Sequence, residues 1–327
     1  MGVPAASTGV LAGVDVGGTS IAVRLATPDL HDLGRHALPT ERGAPDRAGA
    51  QVVAAIDAAC AALGVDPAAV AAIGIGVPGH VDPVAGTVRM AVNLGWDALP
   101  LRAQVQALRP LPVGLDNDVR GAAEGVRARR LLGEVRDFVY VAVGTGIAAG
   151  IVLDDRVLHG THLFAGEIGH IVVEEGGPRC NCGQHGCLEA IAGGPAVAAL
   201  ARAAIEAGAA STLADHAALG AAEVYAASMA GDAVARAAVA RAARALARTF
   251  AVVDAVLDIP CIAIGGGVAS AGAAFFGPLE DALDAIRATS PFAATILPRD
   301  LIRPLPAGDD AGTWGAVLLA RAAANVG

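Results

Sequence analysis

Five cysteines occur in this chain, and three of them crowd into Cys180-Asn181-Cys182-Gly183-Gln184-His185-Gly186-Cys187, with His170 shortly before. Three thiolates and one imidazole form a tetrahedral Cys3His donor set, the composition of closed structural zinc sites. Glycines at 176, 177, 183 and 186 permit the tight turns that such a knot requires. The sequence therefore predicts a structural zinc held by His170, Cys180, Cys182 and Cys187. His185 is a rival for the imidazole position, and three reduced buried cysteines are the plain alternative. Cys60 and Cys261 lie in apolar runs and read as core.

Carboxylates come next. Asp116-Asn117-Asp118 follows the apolar stretch 111–115 and precedes a helix-like segment over 119–132. Asp118 is thereby placed at or near a helix N-terminus, where the dipole favours the ionised form that a general base needs at neutral pH. A simple helix cap fits the same residues. Glu167 stands three residues before His170, and Glu189 two residues after Cys187. A metal knot would fix both carboxylates in space, which points to a ligand for them.

Three glycine-rich turns could meet phosphate. Asp15-Val16-Gly17-Gly18-Thr19 puts a carboxylate at the end of a buried strand, followed by backbone that a phosphate can approach closely and by the Thr19 hydroxyl. Asp15 could orient the water shell of Mg²⁺. Gly144-Thr145-Gly146 is a second such turn, and Gly265-Gly266-Gly267 a third, predicted to follow a strand and open a helix. Each is a plain turn as well. None of the three is a G-x-G-x-x-G or Walker A loop, which disfavours Rossmann and P-loop readings.

These turns need strands and helices to hold them. Strand-like runs span 10–16, 20–26, 70–77, 138–143, 149–153 and 261–264, with apolar residues at helical spacing in 51–63 and 232–257. Their alternation predicts an α/β fold. Residues 13–23 and 141–153 repeat one design, a strand, a Gly/Thr turn and a strand, which suggests two related halves. The expected boundary gives a first domain of 1–118, rejoined by a C-terminal helix over 312–327, and a second domain of 119–311.

Composition narrows the chemistry further. All 23 basic residues are Arg, so a P-loop lysine and a lysine Schiff base are both excluded. Hydrophobic residues make up 54% of the 327, enough to rule out disorder, while aromatics at 3% require an aliphatic core. A net charge of −9 argues against nucleic acid as a partner. The start, MGVPAASTGVLAGVDVGG, has no basic segment of a signal peptide. The apolar run 259–279 contains Pro260, Pro278 and the triplet Gly265-Gly266-Gly267, and reads as a buried strand, a turn and a helix start rather than a membrane span. A cytoplasmic protein without membrane contact is expected, and the apolar, Ala-rich second half suggests a homodimer or higher homo-oligomer.

Together these motifs resemble the ROK family of bacterial sugar kinases and regulators, over about 10–315. Asp15-Val16-Gly17-Gly18-Thr19 is similar to the family's N-terminal phosphate motif, and Gly76-Val77-Pro78-Gly79 and Val92-Asn93-Leu94-Gly95-Trp96 to its sugar-side loops. Asn117-Asp118 resembles the catalytic pair. Gly166-Glu167-Ile168-Gly169-His170 and Cys180-x-Cys182-Gly183-x-x-Gly186-Cys187-Leu188-Glu189 resemble the zinc and sugar motifs, and Ile264-Gly265-Gly266-Gly267-Val268 the adenosine motif. The resemblance implies an actin/hexokinase-like fold, two RNase H-like α/β domains with an interdomain cleft that closes on ATP and a hexose. It implies Asp118 as general base, with Gly79, Asn93, Asn117, Glu167, His170 and Glu189 binding the sugar. It also gives His170 one nitrogen for zinc and one for the sugar. The expected reaction is transfer from Mg-ATP, with polyphosphate an alternative donor. Glucose is the first expected acceptor, then N-acetylglucosamine or N-acetylmannosamine. A non-catalytic sugar sensor is the alternative of another class. A DNA-binding repressor is disfavoured by the charge and by a first strand beginning near residue 10. Three positions depart from the family's pattern: Ser20 stands where a lysine is common, Arg120 where a second Asn often follows Asn117-Asp118, and Ala148-Ala149 where glycines are usual.

Overall fold

The computed structural model describes residues 9–216, 218–306 and 310–325. The chain forms two compact units, one of residues 9–134, 155–165 and 310–325, the other of 135–154 and 166–306. The first unit thus includes 119–134 and 155–165, which the expected boundary assigned to the second domain. No helix among the described residues is long and apolar enough to cross a membrane.

The first unit is built on a five-stranded sheet. Strands β1 (Val10–Val16), β2 (Ser20–Ala26) and β3 (Asp32–Pro39) form an antiparallel meander, and β4 (Val70–Val77) and β7 (Val113–Asn117) join parallel to β1, in the order β3-β2-β1-β4-β7. The central strands are mostly apolar because helices cover both faces, with Asp15 in β1 and Arg24 in β2 as the charged exceptions. Edge strand β3 carries Asp32, Arg35 and His36, the charge that keeps an exposed edge from pairing with other chains. A small hairpin, β5 (His80–Asp82) and β6 (Thr87–Arg89), follows β4. Helices α1 (Ala48–Leu63) and α2 (Leu101–Leu108) pack on one face, burying Val52, Ile56, Leu101 and Val105 with Val14, Ile73 and Ile75. Helix α3 (Asp118–Ala128) leaves directly from β7.

The opposite face shows why the chain's end returns to its beginning. Gly13, Gly74 and Gly114 lie in register across β1, β4 and β7. They form a trough with no side chains, and α10 (Ala311–Ala324) lies in it. A Cβ on Gly74 would stand 1.9 Å from the Ala316 carbonyl oxygen, and one on Gly13 would stand 2.4 Å from the Val317 nitrogen. Leu11, Ala72, Trp314, Val317 and Ala320 complete this second cluster.

The second unit uses the same plan. Strands β8 (Phe138–Val143) and β9 (Ile147–Leu153) form the antiparallel hairpin, and β11 (Ile262–Gly265) and β12 (Ile302–Pro304) add parallel to β8, in the order β9-β8-β11-β12. The order matches β2-β1-β4-β7. The repeated sequence design therefore corresponds to two equivalent hairpins, β1–β2 and β8–β9. A two-residue strand, β10 (Arg156–Val157), follows where the chain passes back to the first unit. Helices α4 (Glu189–Ala192), α5 (Gly194–Glu206), α6 (Ala221–Met229), α7 (Ala233–Leu257), α8 (Ala273–Arg287) and α9 (Pro291–Ile296) surround the sheet. Val141, Val143 and Ile264 meet Ala242, Leu246, Phe250, Phe275 and Leu279 in its aliphatic core. The glycine triplet, expected to open a helix, does not do so directly: a short 3-10 turn at Ala269–Ala271 stands between it and α8.

Candidate active site and metal cluster

In the first unit, Asp15 lies at the C-terminal end of the central strand β1, and the chain turns through Gly17, Gly18 and Thr19 into β2. The turn is braced from outside. The Gly17 N–H donates to the Ser20 carbonyl at 2.8 Å, the Thr40 hydroxyl donates to the Gly17 carbonyl at 2.7 Å, and the Thr40 N–H donates to the Thr19 carbonyl at 3.1 Å. A Cβ on Gly18 would lie 3.6 Å from the Asn93 side chain, so the phosphate-type turn and the loop of Asn93 are neighbours.

The second carboxylate arrives from β7. Asn117 is the N-cap of α3: its side-chain oxygen accepts from the N–H groups of Val119 at 3.0 Å and Arg120 at 3.1 Å. Its amide nitrogen donates to the Gly79 carbonyl at 3.2 Å, joining two predicted sugar-side elements. Asp118 is the first helical residue. Gly76 separates it from Asp15: a Cβ there would lie 3.3 Å from Asp118 Cα and 3.9 Å from Asp15 Oδ1. Loss of water, then Asp118, then Asp310 push the Asp15 carboxyl up to about 8, against the pull of Arg35. This unit thus brings together Asp15, Gly17, Gly18, Thr19, Gly79, Asn93, Asn117 and Asp118.

One neighbouring network was not read from the sequence. Asp116 and Arg120 are buried at 6% and 2% exposure. Arg120 donates to Asp116 Oδ1 at 2.9 and 2.8 Å, to the Leu163 carbonyl at 2.9 Å and to the Val81 carbonyl at 3.2 Å. His159 reaches the other oxygen, Asp116 Oδ2, at 2.8 Å. Burial alone would raise the Asp116 pKa, but the His159 hydrogen bond and the Arg120 charge outweigh it and hold the carboxyl below its ordinary value. The same bond to Asp116 raises His159, against its partial burial. The i,i+4 spacing of Asp116 and Arg120 was visible, but His159 is distant in sequence and only the fold supplies it.

In the second unit, the hairpin turn Gly144-Thr145-Gly146 abuts the glycine triplet. The Val268 N–H donates to the Val143 carbonyl at 2.9 Å, and a Cβ on Gly266 would lie 2.5 Å from that same oxygen. Beside them is a cavity of about 1150 Å³ lined by Gly144, Thr145, Gly267 and Ser270, with walls from α5 and α6. Ala198, Ala199, Ala203, Ala222 and Ala226 line those walls, so the helices shape the groove without filling it. Arg202, Glu206 and Tyr225 are polar groups there that spacing did not reveal. Ala149 packs in the core, and its carbonyl faces Gly166.

Glu189 begins α4, and its Oε2 accepts from the Ile147 N–H at 2.9 Å, which ties it to the turn. A Cβ on Gly146 would stand 2.5 Å from that oxygen. The segment of Glu167 and His170 lies against β9: Gly166 has φ +96, and a Cβ there would lie 1.8 Å from the Ala149 carbonyl oxygen. Glu167 Oε2 is 4.0 Å from His170 Nε2. The other ring nitrogen, Nδ1, is 3.6 Å from Cys180 Sγ, and Cys182 Sγ is 3.7 Å from Cys187 Sγ. Ligand atoms of His170, Cys180, Cys182 and Cys187 all lie within 4.8 Å of one another. A tetrahedral zinc, with bonds of about 2.3 Å to sulfur and about 2.0 Å to nitrogen, sets sulfur–sulfur edges of about 3.8 Å and sulfur–nitrogen edges of about 3.5 Å. The spacing of the cluster fits that ion. His185 is outside it, with Nδ1 3.2 Å from the Gly177 carbonyl oxygen. Burial pushes the Cys187 thiol up to about 12, whereas the Gln184 N–H holds Cys182 below its ordinary value.

The family model of the ROK family matches residues 11–323. The chain belongs to the ROK family. Among its relatives is a glucokinase of Halalkalibacterium halodurans, 33% identical over 84% of this chain and 84% of that one. An N-acetylmannosamine kinase of Shigella boydii serotype 18 is 32% identical over 78% of this chain and 82% of the other. A ROK family glucokinase from Streptomyces griseus, solved in complex with glucose and AMPPNP, is 30% identical with a TM-score of 0.80 over 96% of this chain and all of the other. The fold is actin/hexokinase-like, as the family's motifs implied. The family also holds regulators: a transcriptional regulator described as a homologue of the E. coli MLC protein has a TM-score of 0.81 at 26% identity, covering 98% of this chain and 80% of that one.

Proposed function

We propose that this protein transfers the γ-phosphoryl group of ATP to a hexose, most simply glucose to glucose 6-phosphate. The observation that carries the reading is Asp118 in the first turn of α3, capped by Asn117 and set across Gly76 from Asp15. A sugar hydroxyl is too weak an acid to attack unaided. Asp118 takes its proton as the oxygen attacks the γ-phosphorus in line and ADP departs. Mg-ATP enters as the substrate. Asp15 serves the water shell of its Mg²⁺, while the backbones of Gly17, Gly18 and Gly144 to Gly146, with Thr19 and Thr145, hold phosphate oxygens. The cavity beside Gly265, Gly266 and Gly267 suits the nucleoside, which favours ATP over polyphosphate as donor.

Asn117, Glu167, His170 and Glu189 orient the sugar hydroxyls, and Gly79 and Asn93 also contact the sugar. His170, Cys180, Cys182 and Cys187 would hold zinc, which when bound supplies a rigid structural centre for the loop. His170 Nδ1 lies 3.6 Å from Cys180 Sγ in the cluster, leaving Nε2, beside Glu167, for the sugar. The N-acetylmannosamine kinase among the relatives makes that amino sugar the second acceptor to test.

A coupled ADP-release assay against glucose, mannose, N-acetylglucosamine and N-acetylmannosamine tests the reading. One strong responder supports it. Silence from folded, zinc-loaded protein shifts weight to a non-catalytic sugar sensor. The Asp118→Asn variant should fold and bind hexose normally while kcat falls by about 10²–10⁴-fold. Retained turnover removes Asp118 from the role of base.

A further inference from the structure

A second concave site lies in the second unit, away from the cavity assigned to the nucleotide. It has a volume of about 270 Å³ and is lined by Val173, Glu174 and Ile191 together with Arg241, Arg244 and Arg248 of α7. The three arginines stand at i, i+3 and i+7, so they share one face of the helix. Ala245, between them on that face, contributes only a methyl to the floor. Arg241 is already engaged: its guanidinium donates two hydrogen bonds to Glu174, at 3.1 and 2.6 Å. Among the described residues no carboxylate pairs with Arg244 or Arg248.

Two unneutralised guanidinium groups at i and i+4 repel each other and cost helix stability. They do so here in a chain whose net charge is −9, where carboxylates are plentiful. A carboxylate placed opposite them would remove the repulsion, and the fold provides one only for Arg241. We propose that this pocket binds a dianionic phosphoryl group, clamped by Arg244 and Arg248. A guanidinium presents paired N–H donors that match two phosphoryl oxygens, and the two charges balance the two unpaired arginines. The Glu174 carboxylate occupies the Arg241 end and directs the anion toward the other two. The volume exceeds that of bare phosphate and leaves room for a group of about hexose size on the ester oxygen. Free phosphate and a sugar phosphate share the recognised chemistry. The site stands apart from the kinase reading, since none of its residues is used there. Its wall is structurally consequential all the same. The Val173 N–H donates to the Gly186 carbonyl at 2.9 Å within the metal loop, and Ile191 lies on α4 behind Glu189.

The test is titration calorimetry on the full-length protein in phosphate-free buffer, with AMPPNP and glucose at saturation to block the sites proposed above. Inorganic phosphate and glucose 6-phosphate are titrated separately. The wild type should bind one equivalent of at least one of them. The Arg244→Ala/Arg248→Ala variant should lose roughly tenfold or more in affinity, and Arg236→Ala, elsewhere on α7, should not. Tighter binding of glucose 6-phosphate assigns the ester as ligand, and equal binding assigns phosphate alone. No binding by the wild type at millimolar ligand, or unchanged binding by the double variant, overturns the proposal. So does a double variant that changes oligomeric state with no phosphate response, which would make this face a protein contact.

Discussion

At the scale of single residues, one of the positions that depart from the family's pattern is among the most heavily bonded. Arg120 links the start of α3 to Asp116, to the Val81 carbonyl in β5 and to the Leu163 carbonyl. Its own backbone N–H is one of the two that Asn117 caps. Removing a buried charge strands its partner, so Arg120→Ala should destabilise the protein by about 3–5 kcal/mol, read by urea denaturation. Arg120→Lys should recover only part of this, because one ammonium cannot serve three separated acceptors. A loss below about 1 kcal/mol would show that Asp116 finds other partners. His159 adds a pH dependence whose sign is determined. Its raised pKa means that protonated His159 stabilises the fold below its unfolded value near 6.5, and that this contribution fades as pH rises through the folded value. Asp116, with a lowered pKa, contributes above its unfolded value near 3.9 and fails in stronger acid. The charged pair therefore operates between those limits. His159 is more than a third exposed, so His159→Gln should cost less than about 1 kcal/mol at pH 5.5 and still less at pH 8.5. An equal cost at both pH values would mean that only a neutral hydrogen bond is lost.

At the scale of elements, legibility in the sequence followed local information. The cysteine knot was readable because its ligands lie close in the chain and metal chemistry dictates their type. The two Gly/Thr hairpins were readable because one design occurs twice. The central strands were readable because both faces are buried, which makes them apolar runs. Edge strand β3 was not, since its charged residues break the pattern, and β12 is only three residues long. The cavity on α5 and α6 was invisible for another reason: alanine in a helix looks the same whether it fills a core or lines a groove. Gly166 illustrates what a motif conceals. Its letter marks a turn, whereas the structure shows that the loop carrying Glu167 and His170 rests on the β9 backbone with no space for a side chain. The knot and that support together should set sugar affinity. Cys182→Ser should abolish bound zinc, measured by mass spectrometry of the metal, and raise KM for the hexose more than it lowers kcat. Full zinc content in that variant would remove Cys182 from the ligand set.

At the scale of the whole molecule, two units of one topology carry separate cores, and the first depends on the far end of the chain. Helix α10 fills the trough of Gly13, Gly74 and Gly114 and meets α3 where Gly315 touches Gly121. A Cβ on Gly315 would stand 1.9 Å from the Gly121 carbonyl oxygen. Backbone is on both sides of that contact, so no side-chain rotation can relieve it. Gly315→Ala should push α10 away from α3 and from the sheet beneath, at a cost of at least about 3 kcal/mol. The damage should be unequal. Hydrogen exchange should lose protection in β1, β4, β7 and α3, whereas β8, β11 and α7, whose core contains no residue of α10, should keep theirs. Because Asn117 and Asp118 sit at the start of α3, turnover should fall with that protection. A uniform loss across both units would instead mean that the two cores fold as one cooperative body.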